Sequence, residues 1–167
     1  EILKLMGADI TISNQQEAGG EPVADIHVKS SSLRGVHIPE GLVPLAIDEF
    51  PVLFVAAACA EGQTVVTGAE ELRVKESDRI QVMADGLQAL GIDAKATPDG
   101  MIIQGGEIGS GTVFSHDDHR IAMAFAMAAL RAGGDIQIED CDNVNTSFPG
   151  FADLAASCGL SIQTIDD

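Results

Sequence analysis

Two stretches of this chain are apolar on every side at helical spacing. Residues 48–60 carry Phe50, Val52, Leu53, Phe54, Val55, Ala56, Ala57, Ala58 and Cys59, and residues 117–132 carry the run from Ile121 to Leu130. A helix without a polar stripe has to be buried all round. The strand candidates read the opposite way. Ala24, Ile26 and Val28 alternate with Asp25, His27 and Lys29, and Ile136 and Ile138 alternate with Asp135, Gln137 and Glu139. Such strands have one dry face and one wet face. A doubly wound nucleotide-binding fold does the reverse, with doubly buried strands and amphipathic helices. The pattern predicts an α/β (α+β) fold turned inside out, with buried helices in the centre and sheets outside.

The chain also repeats. A helix end, a glycine and a strand recur at Met6-Gly7-Ala8-Asp9-Ile10, Leu90-Gly91-Ile92-Asp93-Ala94 and Cys158-Gly159-Leu160-Ser161-Ile162. The acidic start, apolar helix, glycine and strand of residues 48–68 return at 118–139. Roughly two copies of a unit of about 70 residues follow from this, each a mixture of helices and strands. Residues 1–167 are read as one domain. Residues 1–7 read as the last turns of a helix capped by Gly7, with no start signal before them. The expectation is a piece of a longer protein.

The other predicted elements are strands at 8–13, 23–30, 63–68, 135–139 and 160–165, with a polar turn at 14–22. Residues 31–40 read as loop with a short extended segment. Helices are expected from Ser77 or Asp78 to Leu90 and from Pro149 to Cys158. A hairpin of 93–97 and 101–104 turns at Pro98-Asp99-Gly100. Gly105 to Gly111 is a turn rather than a phosphate loop, since no Lys-Ser/Thr follows.

Charge excludes some functions. With a formal net charge of −17 and a pI near 4.3, the chain lacks the basic surface that nucleic acid or an anionic membrane requires. No uncharged apolar run reaches the ~18 residues of a membrane span. Cys59, Cys141 and Cys158 lack metal or disulfide spacing, which fits a reducing cytoplasm. Against this acidity, Arg73, Lys75 and Arg79 put three of the nine basic residues into one short loop. Cations are disfavoured at a helix start unless an anion is to be bound there. Arg79 suits bidentate binding of a carboxylate or phosphate, Lys75 adds a point charge, and Glu76 between them suits proton transfer. Asp48-Glu49 and Asp117-Asp118 stand at matching points of the repeat, where plain helix capping explains acids equally well. His116-x-x-His119 lacks an evident third metal ligand.

At these motifs the chain resembles a known family. Leu72-Arg73-Val74-Lys75-Glu76-Ser77-Asp78-Arg79, Asp118-His119-Arg120-Ile121-Ala122-Met123 and Ser147-Phe148-Pro149 look like the C-terminal motifs of the 5-enolpyruvylshikimate-3-phosphate synthases. Ile47-Asp48-Glu49 and Glu70-Glu71-Leu72 resemble the bacterial class often associated with glyphosate tolerance. The resemblance implies two similar domains of βαβαββ units with helices inside. It implies transfer of the enolpyruvyl group of phosphoenolpyruvate to the 5-hydroxyl of shikimate 3-phosphate, with release of phosphate. No metal or organic cofactor is implied. Asp48 matches the acid that handles the hydroxyl proton. Lys75 matches the lysine between hydroxyl and phosphate, and Glu76 the acid that exchanges protons at the methylene carbon. Arg79 and Arg120 match the pair that grips phosphoenolpyruvate. Thr146 stands where other members carry a lysine. The family's N-terminal half, which supplies further substrate contacts, is not in this sequence, so the expectation is one wall of a site that is inactive alone. A UDP-N-acetylglucosamine enolpyruvyl transferase and a non-catalytic phosphoenolpyruvate-binding fragment are the alternatives.

Overall fold

The computed structural model describes residues 1–165. A short helix, α1 (Ile2–Leu5), ends at Gly7, whose φ of +96° is left-handed and suits a residue without a side chain. An antiparallel ribbon of β1 (Asp9–Ala18) and β2 (Glu21–Lys29) follows. Here the structure corrects the sequence reading. Residues 14–18 belong to β1 rather than to a turn, because a bulge between Ser13 and Gln16 absorbs the polar run. Asn14 takes a φ of 50° in that bulge, and its side chain donates to Asp25 Oδ2 at 2.6 Å. The reversal is left to Gly19-Gly20. The apolar face of β2 is also wet. Ile26 and Val28 are 67% and 63% exposed.

Residues 34–104 then form one βαβαββ run. An extended segment at 34–38 lies parallel to β3 (Gln63–Val66), tied by Val65 N–H to Val36 O and Ile38 N–H to Val65 O, both at 2.9 Å. Between them runs α2 (Phe50–Ala58). Next come α3 (Arg79–Ala89) and the hairpin of β4 (Asp93–Thr97) and β5 (Gly100–Gln104). The sheet order is β3-β5-β4, all antiparallel. A second run holds β6 (Gly111–Phe114), α4 (His119–Ala128) and β7 (Ile136–Glu139), with β6 and β7 parallel. The chain continues through α5 (Asn143–Ser147) and α6 (Phe151–Ser157).

β6 and α5 were not legible, being short and lying next to Gly- and Asn-rich runs. The strand expected at 160–165 does not form. Leu160 and Ile162 do pack, against Ala126 and Ala155, but no edge among the described residues pairs with them.

The inside-out expectation holds for the layering, but α2 and α4 are not buried all round, since Val52 is exposed and Met123 and Met127 are half-buried along a groove. α2, α3 and α4 meet in the centre, where Phe50, Phe54, Leu87 and Phe125 are buried. β3 and β5 turn Val66, Met101 and Ile103 inward and Gln63 and Gln104 outward. At the crossing of α3 and α4, a Cβ on Gly86 would stand 2.2 Å from Phe125 Cζ. Gly86→Ala should gain about 1 kcal/mol of helix propensity. It should lose more by overpacking, about 1–3 kcal/mol, because the Phe125 ring is enclosed. A net drop in unfolding free energy is expected in urea titration. Thr64 is 1% exposed, and its buried hydroxyl has no hydrogen-bond partner. Thr64→Val should therefore raise the unfolding free energy, by about 1 kcal/mol or more.

Candidate active site

Asp78 caps α3 by accepting the Gln81 N–H at 3.0 Å. That makes Arg79 the first helical residue and turns its side chain inward, where it is 1% exposed. All of its donor nitrogens are engaged. Nε donates to Asp118 Oδ2 at 2.8 Å, Nη1 to Asp48 Oδ1 at 3.1 Å, and Nη2 to Glu76 Oε2 at 2.5 Å. Asp118 is fully buried and caps α4 by accepting the Arg120 N–H at 3.0 Å. It also accepts the Ser77 hydroxyl at 3.0 Å.

The approach to Asp118 is a tight left-handed bend. His116 and Asp117 have φ of 51° and 58°, a conformation that costs energy without glycine. The bend is held by Ser115, whose hydroxyl donates to Asp140 O at 2.5 Å, and by Asp117 N–H to Asp140 O at 3.1 Å.

Asp48 does not cap α2 as the capping alternative would have it. It sits in a short 3-10 turn, Pro44–Glu49, and neither Asp48 nor Glu49 caps α2 through its side chain. Its carboxylate faces Lys75 Nζ at 3.6 Å as well as Arg79. Lys75 Nζ also donates to Glu71 Oε1 at 2.6 Å. Arg120 reaches across from α4 to Asp48 O at 2.9 Å and Glu49 Oε1 at 3.1 Å. Beside Arg120 an apolar groove runs past Val52, Met123, Met127 and Phe151.

Asp48, Lys75, Glu76, Arg79 and Arg120 thus share one network of ion pairs and hydrogen bonds, which Arg120 joins through the Asp48 carbonyl, although they come from three separate stretches of chain. Its cations do not stand free. Lys75, Arg79 and Arg120 face the carboxylates of Asp48, Glu49, Glu71, Glu76 and Asp118. Glu76 pairs with Arg79 rather than sitting between two cations. Thr146 lies exposed in α5 and offers a hydroxyl where a lysine would bring charge. Among the described residues no three His, Cys, Asp or Glu side chains form a metal-holding group.

Burial works to raise the Asp48 carboxyl, but Lys75, Arg120 and Arg79 outweigh it and hold it below the usual carboxylate range. The Glu71 hydrogen bond, helped by Asp48, pushes the Lys75 ammonium up. For Arg79, burial is outweighed by Asp118, Glu76 and Asp48, which push it up. At neutral pH, Asp48 is an anion and both basic groups are cations.

Sequence reasoning missed Asp118, Ser77 and Glu71 as parts of this network. The repeat did contain the signal for Asp118, since it sets that residue level with Asp48. Arg73 is scaffold rather than site. It donates to Thr97 O and Pro98 O at 2.5 and 2.8 Å and pairs with Asp78 at 2.6 Å, tying the β4–β5 turn to the start of α3.

Residues 1–154 match the family described as EPSP synthase (3-phosphoshikimate 1-carboxyvinyltransferase). The chain belongs to the EPSP synthase family. It is 68% identical over 167 residues to the 3-phosphoshikimate 1-carboxyvinyltransferase of Alkalilimnicola ehrlichii, covering 99% of this chain and 37% of that protein. Its identity to the enzyme of Nitrosococcus oceani is also 68%, over 98% of this chain and 37% of that one. The structure of EPSP synthase from Acinetobacter baumannii superposes with a TM-score of 0.95 at 60% identity, over 99% of this chain and 39% of that one. The chain therefore spans about 37% of the length of these curated relatives. No helix among the described residues is long and apolar enough to cross a membrane.

The β4–β5 turn that braces this site has an acid-sensitive staple. Asp99 Oδ2 accepts the Gly68 N–H at 3.0 Å, and that bond holds the Asp99 carboxyl below its usual range. A carboxyl with a lowered folded-state pKa stabilises fully above its unfolded value, about 4, and loses the effect as pH falls through the lower value. Wild type should therefore exceed Asp99→Asn in stability at pH 7, with the difference closing in the most acidic buffers. Denaturant titrations from pH 7 to about 2.5 check this; a constant difference would sink the charge explanation.

Proposed function

We propose that this chain forms one wall of the active site of an EPSP synthase, which moves the enolpyruvyl group of phosphoenolpyruvate onto the 5-hydroxyl of shikimate 3-phosphate. The reading is carried by one observation: Asp48, Lys75, Glu76, Arg79 and Arg120 converge in a single network. Family membership and the motifs around these residues support it.

The chemistry assigns them complementary work. The hydroxyl oxygen bonds to C2 of phosphoenolpyruvate while C3 gains a proton. Asp48, held as an anion, accepts the hydroxyl proton. Glu76, displaced from Arg79 by phosphoenolpyruvate and carrying a proton in the ternary complex, delivers that proton to C3. Loss of phosphate then restores the double bond, the C3 proton returns to Glu76, and the proton held by Asp48 leaves with the phosphate. Lys75 stabilises charge between the hydroxyl and the departing phosphate. Arg79 and Arg120 bind the phosphoenolpyruvate anion, with Asp48 and Glu76 giving way at the Arg79 terminal nitrogens. The chain needs no metal or organic cofactor for these steps.

The site in this chain is short of positive charge for two anionic substrates. Further cations come from the segments that the longer relatives have beyond it, so catalysis requires both portions. We place the enzyme in the cytoplasm, consistent with the acidic surface and with Cys59, Cys141 and Cys158 as free thiols.

The test combines this chain with the complementary portion of an EPSP synthase and follows phosphate release from phosphoenolpyruvate and shikimate 3-phosphate. Turnover is expected from the mixture and not from the chain alone. A complex that assembles and binds phosphoenolpyruvate without turnover would make the chain a binding module instead. In the active mixture, Glu76→Gln should lower kcat by about 10²–10⁴ while KM stays within a few-fold. A large rise in KM at unchanged kcat would contradict the proton role.

A further inference from the structure

We propose that Asp118 is the positioning residue of Arg79, fixing its guanidinium so that only the outer edge exchanges partners with substrate. The inference rests on the reading of Arg79 as a phosphoenolpyruvate ligand. Asp118 is fully buried and Arg79 is 1% exposed. Asp118 holds the inner edge of the guanidinium, Nε at 2.8 Å and Nη2 at 3.4 Å. The outer partners are different in kind. Asp48 and Glu76 have side chains 47% and 50% exposed. They are free to leave, and an incoming carboxylate would take their place on the Nη atoms. Asp118 has no solvent to move into.

Asp118 also sets the spacing of the two arginines. The oxygen that contacts Arg79 Nη2 accepts the Arg120 backbone N–H, while the other oxygen binds Arg79 Nε and the Ser77 hydroxyl. One carboxylate thereby joins the first residue of α3, the loop before it, and the start of α4. Helix capping alone uses a single oxygen, which Asn would supply as well. Neither the second oxygen nor the charge is needed for a cap. Both are needed to orient a buried guanidinium.

The assembled enzyme tests this by steady-state kinetics with each substrate varied in turn. Asp118→Asn keeps the size and the cap, but its amide would set a donor against Arg79. The expected result is a rise of about tenfold or more in KM for phosphoenolpyruvate, with KM for shikimate 3-phosphate within about twofold. In an Arg79→Lys background the same substitution should add less than about twofold, because its effect runs through the fork. An unchanged KM for phosphoenolpyruvate, equal rises for both substrates, or a full effect in the Arg79→Lys background would each overturn the proposal. If Asp118→Asn does not fold, Ser77→Ala carries the test. It should raise KM for phosphoenolpyruvate by about two- to fivefold and lose that effect with Arg79→Lys; no rise would overturn the proposal. If the wild-type assembly shows no turnover, the proposed function fails by itself. The Arg79 Nε–H resonance of this chain then decides the positioning. Slow solvent exchange in wild type, lost in Asp118→Asn or in Ser77→Ala, supports it; rapid exchange in wild type, or protection that survives substitution, refutes it.

Discussion

The buried pair of Arg79 and Asp118 is the contact on which the site depends. Burying two charges is costly, and their attraction offsets the cost only with good geometry and further hydrogen bonds. Both conditions are met. The Nε–Oδ2 distance is 2.8 Å, and Ser77 and the Arg120 N–H occupy the remaining capacity of the carboxylate. Loss of either partner would strand a charge in the core, at about 3–5 kcal/mol. The pair cannot rearrange without separating the start of α3 from the start of α4, and further along the same two helices Gly86 and Phe125 are already closely packed. Rigid packing below the site and a rigid ion pair within it are one constraint.

Around this fixed centre the other pairs are soft. Asp48, Glu76 and Glu71 have side chains roughly half exposed, and surface ion pairs contribute little net stability. These carboxylates shield the cations in a chain of net charge −17, where unpaired basic groups would attract any passing anion. A ligand with several negative charges would compete with them on better terms, since it would offer more charge at each arginine.

The sequence was most informative where chemistry and period agreed. All-round apolar character in residues 48–60 and 117–132 foretold central helices, because nothing else buries such a surface. The Arg73–Arg79 string identified the loop, although Arg73 proved to hold a turn through Thr97 O and Pro98 O. The failures have physical causes. The ribbon of β1 and β2 was bounded wrongly because Asn14 in a bulge looks like Asn14 in a turn. Residues 160–165 were read as a strand from the recurring helix end, glycine and strand pattern, but such a pattern does not specify a pairing partner. Asp118 looked like a cap, and it is one. Its second role depends on Arg79 lying 39 residues away in sequence, which no local pattern records.

The inside-out arrangement itself explains why the site lies where it does. Asp48 and Glu49 immediately precede α2, Lys75, Glu76 and Arg79 lie at the start of α3, and Asp118 and Arg120 lie at the start of α4. Their mutual contacts mean that the N-terminal ends of the three central helices meet at one point. Each such end carries partial positive charge and unpaired N–H groups. Burying the helices puts the inner part of this meeting point, at Arg79 and Asp118, in a setting of low dielectric, where the attraction for an anion is strongest. A fold with sheets in the centre and helices outside would scatter the same ends over its surface. Three central helices packed together, by contrast, concentrate them, and the exposed carboxylates of Asp48 and Glu76 at their starts are the anions that a ligand would replace.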